Sequence, residues 1–332
     1  MKVARAVTMR QVAEAAGVAR STVSKALRND PRISEACCQS VQDHARKLGY
    51  RPHPLVSALM SQLHQSRRRS DPHHIAWLDL WGRHEETATF PFGKELLAGA
   101  RRRADELGYS IEVYSSALEG LSPSRLRQIL TARAQWGMVI PPVPQAAMHF
   151  SLDLRGLTAV TIGTSLREPA VHRVSSNHFQ GAQLACERLR AKGLRRVGLV
   201  LSPDVNERVE NKWCGAVLAE QLHCPKAQRV APLLVEPDEG AKFQDWLRRE
   251  KPDALLIAEP HVATWLRGQR RPPRIAWLVM RNKLENAWGI DHQPEQLGGA
   301  AVELLVGQIH RNERGEPPVP HTLLLDGLWV ER

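Results

Sequence analysis

The sequence predicts an α/β protein: a small all-α helix-turn-helix head followed by a two-lobed, doubly wound α/β body. Apolar residues recur at helical spacing in three short segments of the first 50 residues, whereas short apolar runs alternate with longer helical patterns from His74 onward. The 332 residues also exceed the ~250 to 300 at which single hydrophobic cores stop growing. Two or more domains are therefore expected.

The head begins with two short helices joined by a tight turn. Apolar residues at positions 9, 12, 13 and 16 share one face of the first helix, and Gly17 can end it with a left-handed C-cap. In the second helix the expected buried residues are Val23, Ala26 and Leu27. The outward positions carry hydroxyls and cations but no acid, which suits contact with base edges in a DNA major groove.

A third helix completes the predicted head. Ser34 is a suitable N-cap, and apolar residues at positions 38, 41, 45 and 48 repeat at helical spacing until Gly49. Three helices then share one core, and the second is exposed and basic. In a helix-turn-helix motif that helix enters the major groove, although a helical hairpin without a DNA-binding role is the alternative on pattern alone.

Five short motifs mark the head: Val7-Thr8, Val12-Ala13, Ala16-Gly17-Val18-Ala19, Thr22-Val23-Ser24 and Leu48-Gly49-Tyr50-Arg51-Pro52. With this spacing the head resembles the lactose/galactose repressor (LacI/GalR) family of transcription regulators. Ala19 departs from the family, which usually has a capping Ser there. The resemblance implies that Arg20, Ser21 and Lys25 contact bases. The full set of predicted DNA contacts is Thr8, Arg20, Ser21, Thr22, Lys25, Arg28 and Leu59.

A linker follows, in which Pro52 and Pro54 favour an extended entry. Residues 55–63 form one or two predicted helical turns, too few to be stable alone, because isolated helices below ~12 to 15 residues are marginal in water. By the resemblance this is a hinge helix whose Leu59 wedges into the minor groove, a known way to kink DNA. The basic run at residues 65–72 is either a flexible spacer or a phosphate contact.

Positive charge is concentrated at the N-terminal end. Residues 1–69 hold 13 lysines and arginines against 4 acids, whereas the remaining residues hold 33 against 31. A basic head on a nearly neutral body is typical of a nucleic-acid-binding protein.

The five cysteines show no CxxC spacing and indicate reduced thiols rather than a metal site. No uncharged apolar run approaches the ~20 residues that span a bilayer, and the N-terminus has no apolar signal segment. We therefore expect a cytoplasmic protein with no membrane partner, no cofactor and no metal ligand.

In the body, strands separated by helices predict parallel crossovers and a doubly wound sheet. The predicted strands are residues 75–81, 111–114, 137–140, 159–162, 196–201, 254–258 and 275–279, and the predicted helices are 92–107, 122 or 124 to 134, 177–192 and 206–222. The expected boundaries are a head at 1–53, a hinge helix and basic linker at 54–72, and a two-lobed effector-binding and dimerisation domain at 73–332. The N-lobe would take about 73–163 plus 292–320, and the C-lobe about 164–291 plus 321–332.

This body resembles the ligand-binding domain of the same family, which is similar to type I periplasmic sugar-binding proteins. The matching pieces are Gly99, Gly108-Tyr109, Gly181 after Ser175-Ser176-Asn177, Gln293-Pro294 and Leu297-Gly298.

Ligands of open α/β sheets bind at the carboxyl ends of strands. The candidate effector contacts are therefore Trp81, Phe90, Phe92, Arg208, Glu259, Trp288 and Asp291. The resemblance places Phe92 and Arg208 at or near family effector contacts. Core packing is the alternative for each aromatic residue, and a surface salt bridge for Arg208. Glu259-Pro260 and Met280-Arg281-Asn282 depart from the usual acid set of the family, which indicates an unusual or lost effector.

Catalytic signatures are missing from the sequence: Ala88 stands where an HExxH motif beginning at His84 needs its second His, and no catalytic residue is assigned. We expect no enzyme activity. The predicted function is a homodimeric regulator, acting as a repressor, that binds a pseudo-palindromic double-stranded DNA operator. It also binds a small-molecule effector, for which a sugar-like compound is one candidate. A solute-binding receptor or a cleft enzyme of the same body fold are the alternatives.

Overall fold

A computed structural model describes residues 7–27, 32–50, 73–80, 92–115, 122–133, 135–146, 148–280 and 287–331. Contacts between residues divide the chain into two units. One comprises residues 1–73 with 306–314, and the other comprises residues 74–305 with 315–332.

Within residues 7–27 and 32–50, the head contains three helices: α1 (Met9–Ala16), α2 (Arg20–Ala26) and α3 (Glu35–Leu48). The positive φ angles of Gly17 and Gly49, 64° and 72°, end α1 and α3 as the sequence predicts. Leu27, an expected core residue, is only partly buried against this core. The buried core residues are Val12, Ala13, Val23, Ala26, Cys38, Val41 and Ala45.

The described residues of the body form two six-stranded sheets with helices between the strands. The first sheet contains β1 (His73–Asp79), β2 (Tyr109–Ser115), β3 (Gly137–Ile140), β5 (Thr158–Ile162), β7 (His172–Ser176) and β13 (Thr322–Leu325). The second contains β8 (Val197–Leu201), β9 (Leu233–Leu234), β10 (Ala254–Ile257), β11 (Arg274–Trp277), β12 (Trp288–Asp291) and β14 (Leu328–Glu331). A separate small pair is formed by β4 (Met148–His149) and β6 (Leu166–Glu168). The helices are α4 (Gly93–Glu106), α5 (Pro123–Ala132), α6 (His178–Ala191), α7 (Pro203–Arg208), α8 (Lys212–Leu222), α9 (Gly240–Glu250), α10 (Pro260–Thr264) and α11 (Pro294–Arg311).

Strand order is β13-β7-β5-β3-β1-β2 in the first sheet and β14-β12-β11-β10-β8-β9 in the second. The five strands from β12 to β9 run parallel, while β14 pairs antiparallel with β12. Each sheet has its own buried apolar cluster. The predicted two-lobed, doubly wound α/β class is confirmed.

Two strands belong to a different lobe from the one expected. β7 pairs with β5 in the first sheet, whereas the sequence predicts residues 164–291 to belong to the C-lobe. β13 pairs with β7, whereas the sequence predicts residues 321–332 to belong to the C-lobe as well. The chain therefore passes between the lobes at residues 176–178, 291–293 and 325–328. β7 has one apolar residue among its five, and β13 is a largely exposed edge strand, so neither sequence identifies the sheet in which the strand pairs.

The single helix predicted for residues 206–222 is two helices, α7 and α8. Glu210 and Asn211 between them have positive φ angles of 55° and 59°, which an α-helix does not allow. The Asn206 side-chain amide donates to Asn211 Oδ1 at 2.6 Å and holds this turn. None of the described helices combines the length and apolar character that a membrane crossing requires.

Candidate nucleic-acid interface and ligand cleft

The outer surface of α2 carries the predicted base contacts. Arg20 and Ser21 are exposed, and Thr22 and Lys25 are partly exposed. On the inner side Val23 and Ala26 have 0% exposure, so the helix is anchored by small apolar residues. The predicted contacts on this helix are therefore two cations and two hydroxyls, and the helix carries no acid.

Thr8 has a structural role in this head. Its backbone N–H donates to Gln11 Oε1 at 2.8 Å, and its hydroxyl faces the backbone N–H of Gln11, which together form a capping box at the start of α1. Ala19 precedes α2 without a side-chain cap, as expected from its departure from the family Ser. Of the other predicted contacts, Arg28 and Leu59 lie outside the described residues, as do the effector candidates Trp81 and Phe90.

At the carboxyl edge of the first sheet, Phe92 is half-buried at the start of α4. Two polar groups that sequence reasoning missed lie at the same edge. Asp79 ends β1 with 5% exposure, and Ser115 ends β2 with 0% exposure. Their signal in the sequence is a polar residue as the last member of an apolar strand.

Arg208 joins the two lobes. From the end of α7 its Nη1 donates to the carbonyl oxygen of Val143 at 2.8 Å, and its Nη2 donates to that of Pro144. Its Nε donates to Asp204 Oδ2 at 2.9 Å, and the Thr164 hydroxyl donates to the Arg208 carbonyl oxygen at 2.6 Å. The side chain is only 18% exposed. The predicted effector-binding arginine therefore makes charge-assisted bonds to the opposite lobe.

A second interlobe contact lies beside it. Glu210 forms an ion pair with Arg167 on β6 and with Lys212, whose Nζ is 2.5 Å from Glu210 Oε2. Burial opposes ionisation of Glu210, but hydrogen bonds from Lys212 and Arg167 outweigh it and keep the pKa of this carboxyl below its ordinary value. Glu210 is thus a charged link between the lobes.

A cluster of buried rings is formed by His178 and His292, at two of the connections between the lobes, and Trp213 on α8. The His178 ring centroid is 5.2 Å from that of His292 and 5.0 Å from that of Trp213. His292 Nε2 lies 2.8 Å from the Leu278 carbonyl oxygen, so Nε2 carries the proton and Nδ1 is an acceptor. His178 Nδ1, His292 Nδ1 and Trp213 Nε1 are buried without a partner among the described residues. Sequence reasoning did not single out these three side chains.

The other effector candidates are placed as follows. Glu259 lies after β10, where its Oε2 accepts the Ser202 backbone N–H at 2.7 Å. Asp291 ends β12, and its Oδ1 accepts the Gln293 backbone N–H at 2.8 Å. Trp288 is the first residue of β12 rather than a residue following a strand, so it lies at the opposite edge of the sheet from Glu259 and Asp291. A surface depression of about 410 Å³ on α6 and α8, lined by Gln183, Glu187 and Glu220 among others, includes none of these candidates.

The buried histidines predict a stability that depends on pH. Burial lowers the pKa of His292 from 6.5 to about 4 and that of His178 well below its ordinary value. Between pH 6.5 and pH 4 the unfolded chain binds more protons than the folded one. The contribution of these histidines to the free energy of unfolding is therefore fully present above pH 6.5 and is lost as the pH drops toward 4. At about 1.4 kcal/mol per unit, His292 alone should cost roughly 2 kcal/mol between pH 7.5 and 5.

Urea unfolding of the parent and of His292→Gln at both pH values measures this effect. Gln keeps a donor for the Leu278 carbonyl but does not titrate, so the variant should lose less stability on acidification. His223→Gln, at an exposed residue, is the matched control and should behave like the parent. An equal acid loss in parent and His292→Gln would show that His292 is not the cause.

Comparison with known proteins gives the decisive observation for the head. The profile described as "Bacterial regulatory proteins, lacI family" matches residues 8–53, which include α1, α2 and α3. Residues 8–53 are therefore similar to the head of lacI-family regulators. The match begins at Thr8, the capping residue of α1, and contains every head residue predicted to contact DNA.

The similarity to relatives and to solved structures extends beyond residues 8–53. The chain is 25% identical over 198 residues to the HTH-type transcriptional regulator PtxS of Pseudomonas plecoglossicida, covering 59% of this chain and 54% of that protein. It is also 25% identical over 198 residues to the ribose operon repressor of Escherichia coli K12, covering 59% and 56%. The chain thus spans about half the length of these curated relatives.

One solved structure, a transcriptional regulator CelR-cellobiose complex, aligns with 98% of this chain and 99% of its own, with a TM-score of 0.55 and 21% identity. At this identity the likeness concerns the fold. One of the named relatives is an HTH-type transcriptional regulator, and the other is an operon repressor.

Proposed function

We propose that this protein is a sequence-specific DNA-binding transcription regulator, acting as a repressor, whose lacI-family head contacts DNA through α2. The observation that carries the proposal is the acid-free outer surface of α2, which presents Arg20, Ser21 and Lys25 while Val23 and Ala26 anchor the helix. Arg and Lys are the side chains that most often contact guanine in the major groove. This supports a role in reading base sequence.

One head offers a small recognition surface, so two heads are needed for a specific site. Homodimers with twofold symmetry are the commonest assembly of soluble proteins, and a dimeric helix-turn-helix protein binds two inverted half-sites. The proposed operator is accordingly a pseudo-palindrome. The proposed domain roles keep the predicted head and linker but transfer β7 and β13 to the N-lobe.

The body is proposed to bind a small-molecule effector between its lobes. Support comes from Arg208, Thr164 and the Arg167–Glu210 pair, whose bonds would break or rearrange if the lobes moved apart. An effector that binds one lobe arrangement more tightly than the other would shift the protein toward that arrangement. The resulting change in DNA affinity is limited by the difference between the effector's affinities for the two arrangements. Glu259 and Asp291 accept backbone N–H groups and lie at the carboxyl edge, where they remain candidate contacts.

A solute-binding receptor remains the second candidate, because the two-lobed body could serve that role without a head. The specific observation against it is the folded basic head. No residue of the cleft is assigned a catalytic role, and we propose that the protein is not an enzyme.

The test compares Lys25→Ala with Lys47→Ala, an exposed change of equal charge on α3 of the same head. Lys25→Ala should weaken the selected operator by about 1 to 3 kcal/mol and relax the preference at one base position. Lys47→Ala should leave that preference unchanged. If Lys25→Ala weakens operator and random duplex equally, α2 does not read the bases.

A further inference from the structure

The amino edge of the second sheet is strongly basic. Val197, Ala254 and Arg274 lie in register as the first residues of β8, β10 and β11. The turns before these strands, the turn before β9, the C-terminal part of α9 and the end of β14 therefore meet at one edge. We call this surface the basic edge and define it as residues 192–196, 226–229, 245–253, 267–274 and 329–331.

Charge is unequally divided between this surface and the remainder of the body. The basic edge holds 12 lysines and arginines against 4 acids, whereas the rest of residues 70–332 holds 21 against 27. Nine of the 12 cations are arginines. The nearly neutral total of the body thus conceals one strongly positive surface.

All four acids are already engaged. Asp245 pairs with Arg248 at the end of α9, and Glu250 pairs with Arg249. Asp253 Oδ2 accepts the backbone N–H groups of residues 195 and 196, and Glu331 pairs with Lys192 at 2.9 Å. The carboxylates therefore leave most of the cations uncompensated.

Ordinary structural needs explain only some of these cations. Arg248 and Arg249 complement the C-terminal dipole of α9, and the Arg196 guanidinium donates to three backbone carbonyls. By contrast, Arg195, Arg270 and Arg271 lie in exposed turns, where no carboxylate among the described residues pairs with them. Isolated exposed arginines with no structural partner are the groups available to an external anion.

The Trp288 ring adds a fixed element to the basic edge. The guanidinium carbon of Arg274 lies 3.9 Å from the ring centroid, and Lys192 Nζ lies 4.6 Å from it. Two cations against one ring are held by cation–π attraction despite their mutual repulsion. Trp288, predicted to contact an effector, instead orients positive charge at this edge.

We propose that the basic edge binds the phosphate backbone of double-stranded DNA, as a second contact surface independent of base reading by the head. Six strands at ~4.8 Å spacing extend over about 24 Å. A duplex of that length carries roughly 14 phosphate charges, because B-DNA has one charge per ~1.7 Å of axis. Arginine also matches phosphate geometry with two parallel donors, which a surface made for general solubility does not require. A protein bound by its heads to one duplex would thereby hold a second.

The test uses the full chain and two double variants that remove equal charge from exposed residues. Arg270→Gln/Arg271→Gln alters the basic edge, and Arg101→Gln/Arg125→Gln alters the first lobe. Each protein is bound to an immobilised duplex through its heads, and the capture of a labelled random 30-base-pair duplex is measured over a salt series. The basic-edge variant should capture about fivefold less duplex, and its salt slope should fall by up to ~1.8, or ~0.9 for each phosphate that the protein no longer neutralises.

The first-lobe variant should match the parent. Equal losses in both variants would mean that net charge alone is responsible and would overturn the proposal. The proposal would also be overturned if the basic-edge variant captured as much DNA as the parent but bound polyglutamate more weakly than the parent. That result would favour an acidic protein partner. Lys25→Ala tests sequence preference for the immobilised duplex bound by the heads, whereas the basic-edge variant tests capture of the labelled duplex. A wrong assignment of α2 and a wrong assignment of the basic edge therefore give different results.

Discussion

Replacement of Gly99 by Ala is expected to destabilise the body by about 3 kcal/mol, at the upper end of the usual cost of overpacking. Gly99 on α4 and Gly298 on α11 lie where the two helices touch backbone to backbone. A Cβ atom on Gly99 would overlap the Glu295 carbonyl, and one on Gly298 would overlap that of Leu96. Neither obstacle is a flexible side chain, so α4 and α11 would have to move apart and disturb the core around them.

Gly215→Ala is the matched control. Gly215 lies exposed inside α8, and a Cβ atom there would meet nothing within 4 Å. The same substitution should therefore stabilise the body by about 0.5 to 1 kcal/mol, through the helix propensity of alanine. Urea unfolding followed by tryptophan fluorescence measures both variants. A Gly99→Ala protein as stable as the parent would contradict the close helix contact.

Val23→Asp should unfold the head and abolish specific DNA binding while the body stays folded. Val23 has 0% exposure in a core of seven buried residues, which leaves no room to hydrate a carboxylate. Burial of an unpaired charge costs several kcal/mol, more than a domain this small can lose. We expect operator affinity to fall by about a thousandfold or more, to the non-specific level or below.

Ala36→Asp provides the control for Val23→Asp. Ala36 is exposed in the first turn of α3, where an acid interacts favourably with the helix dipole. This variant should keep a folded head and most of its operator affinity. Circular dichroism and operator titration distinguish the two variants, and retained operator binding by Val23→Asp would contradict the assignment of the core and of α2.

The sequence predicts local features well where one residue determines them. Ser34, Gly17 and Gly49 have the cap conformations or bonds that their chemistry favours, and Asn177 caps α6 through a bond to the Gln180 backbone N–H. The split of α7 from α8 was missed, because positive φ at Glu210 and Asn211 has no strong sequence signal. Local preference therefore identifies most helix ends but not every interruption.

Long-range partners could not be predicted in the same way. The charge of Arg208 is evident from the sequence, but its acceptors are backbone carbonyls 64 and 65 residues away, which carry no side-chain signature. The same limit applies to β7 and β13, whose short sequences do not identify the sheet in which they pair. His178 and His292 are brought together only by the connections between the lobes.

Selection of bound sequences from a random pool of duplexes, using the full chain, tests the central claim most directly. If α2 reads bases in a symmetric dimer, the enriched sequences should share two inverted half-sites with centres one helical turn, or a multiple of it, apart. They should exceed random duplex in affinity by about a thousandfold or more. No enrichment, or a single unrepeated half-site bound by one chain, would contradict the account.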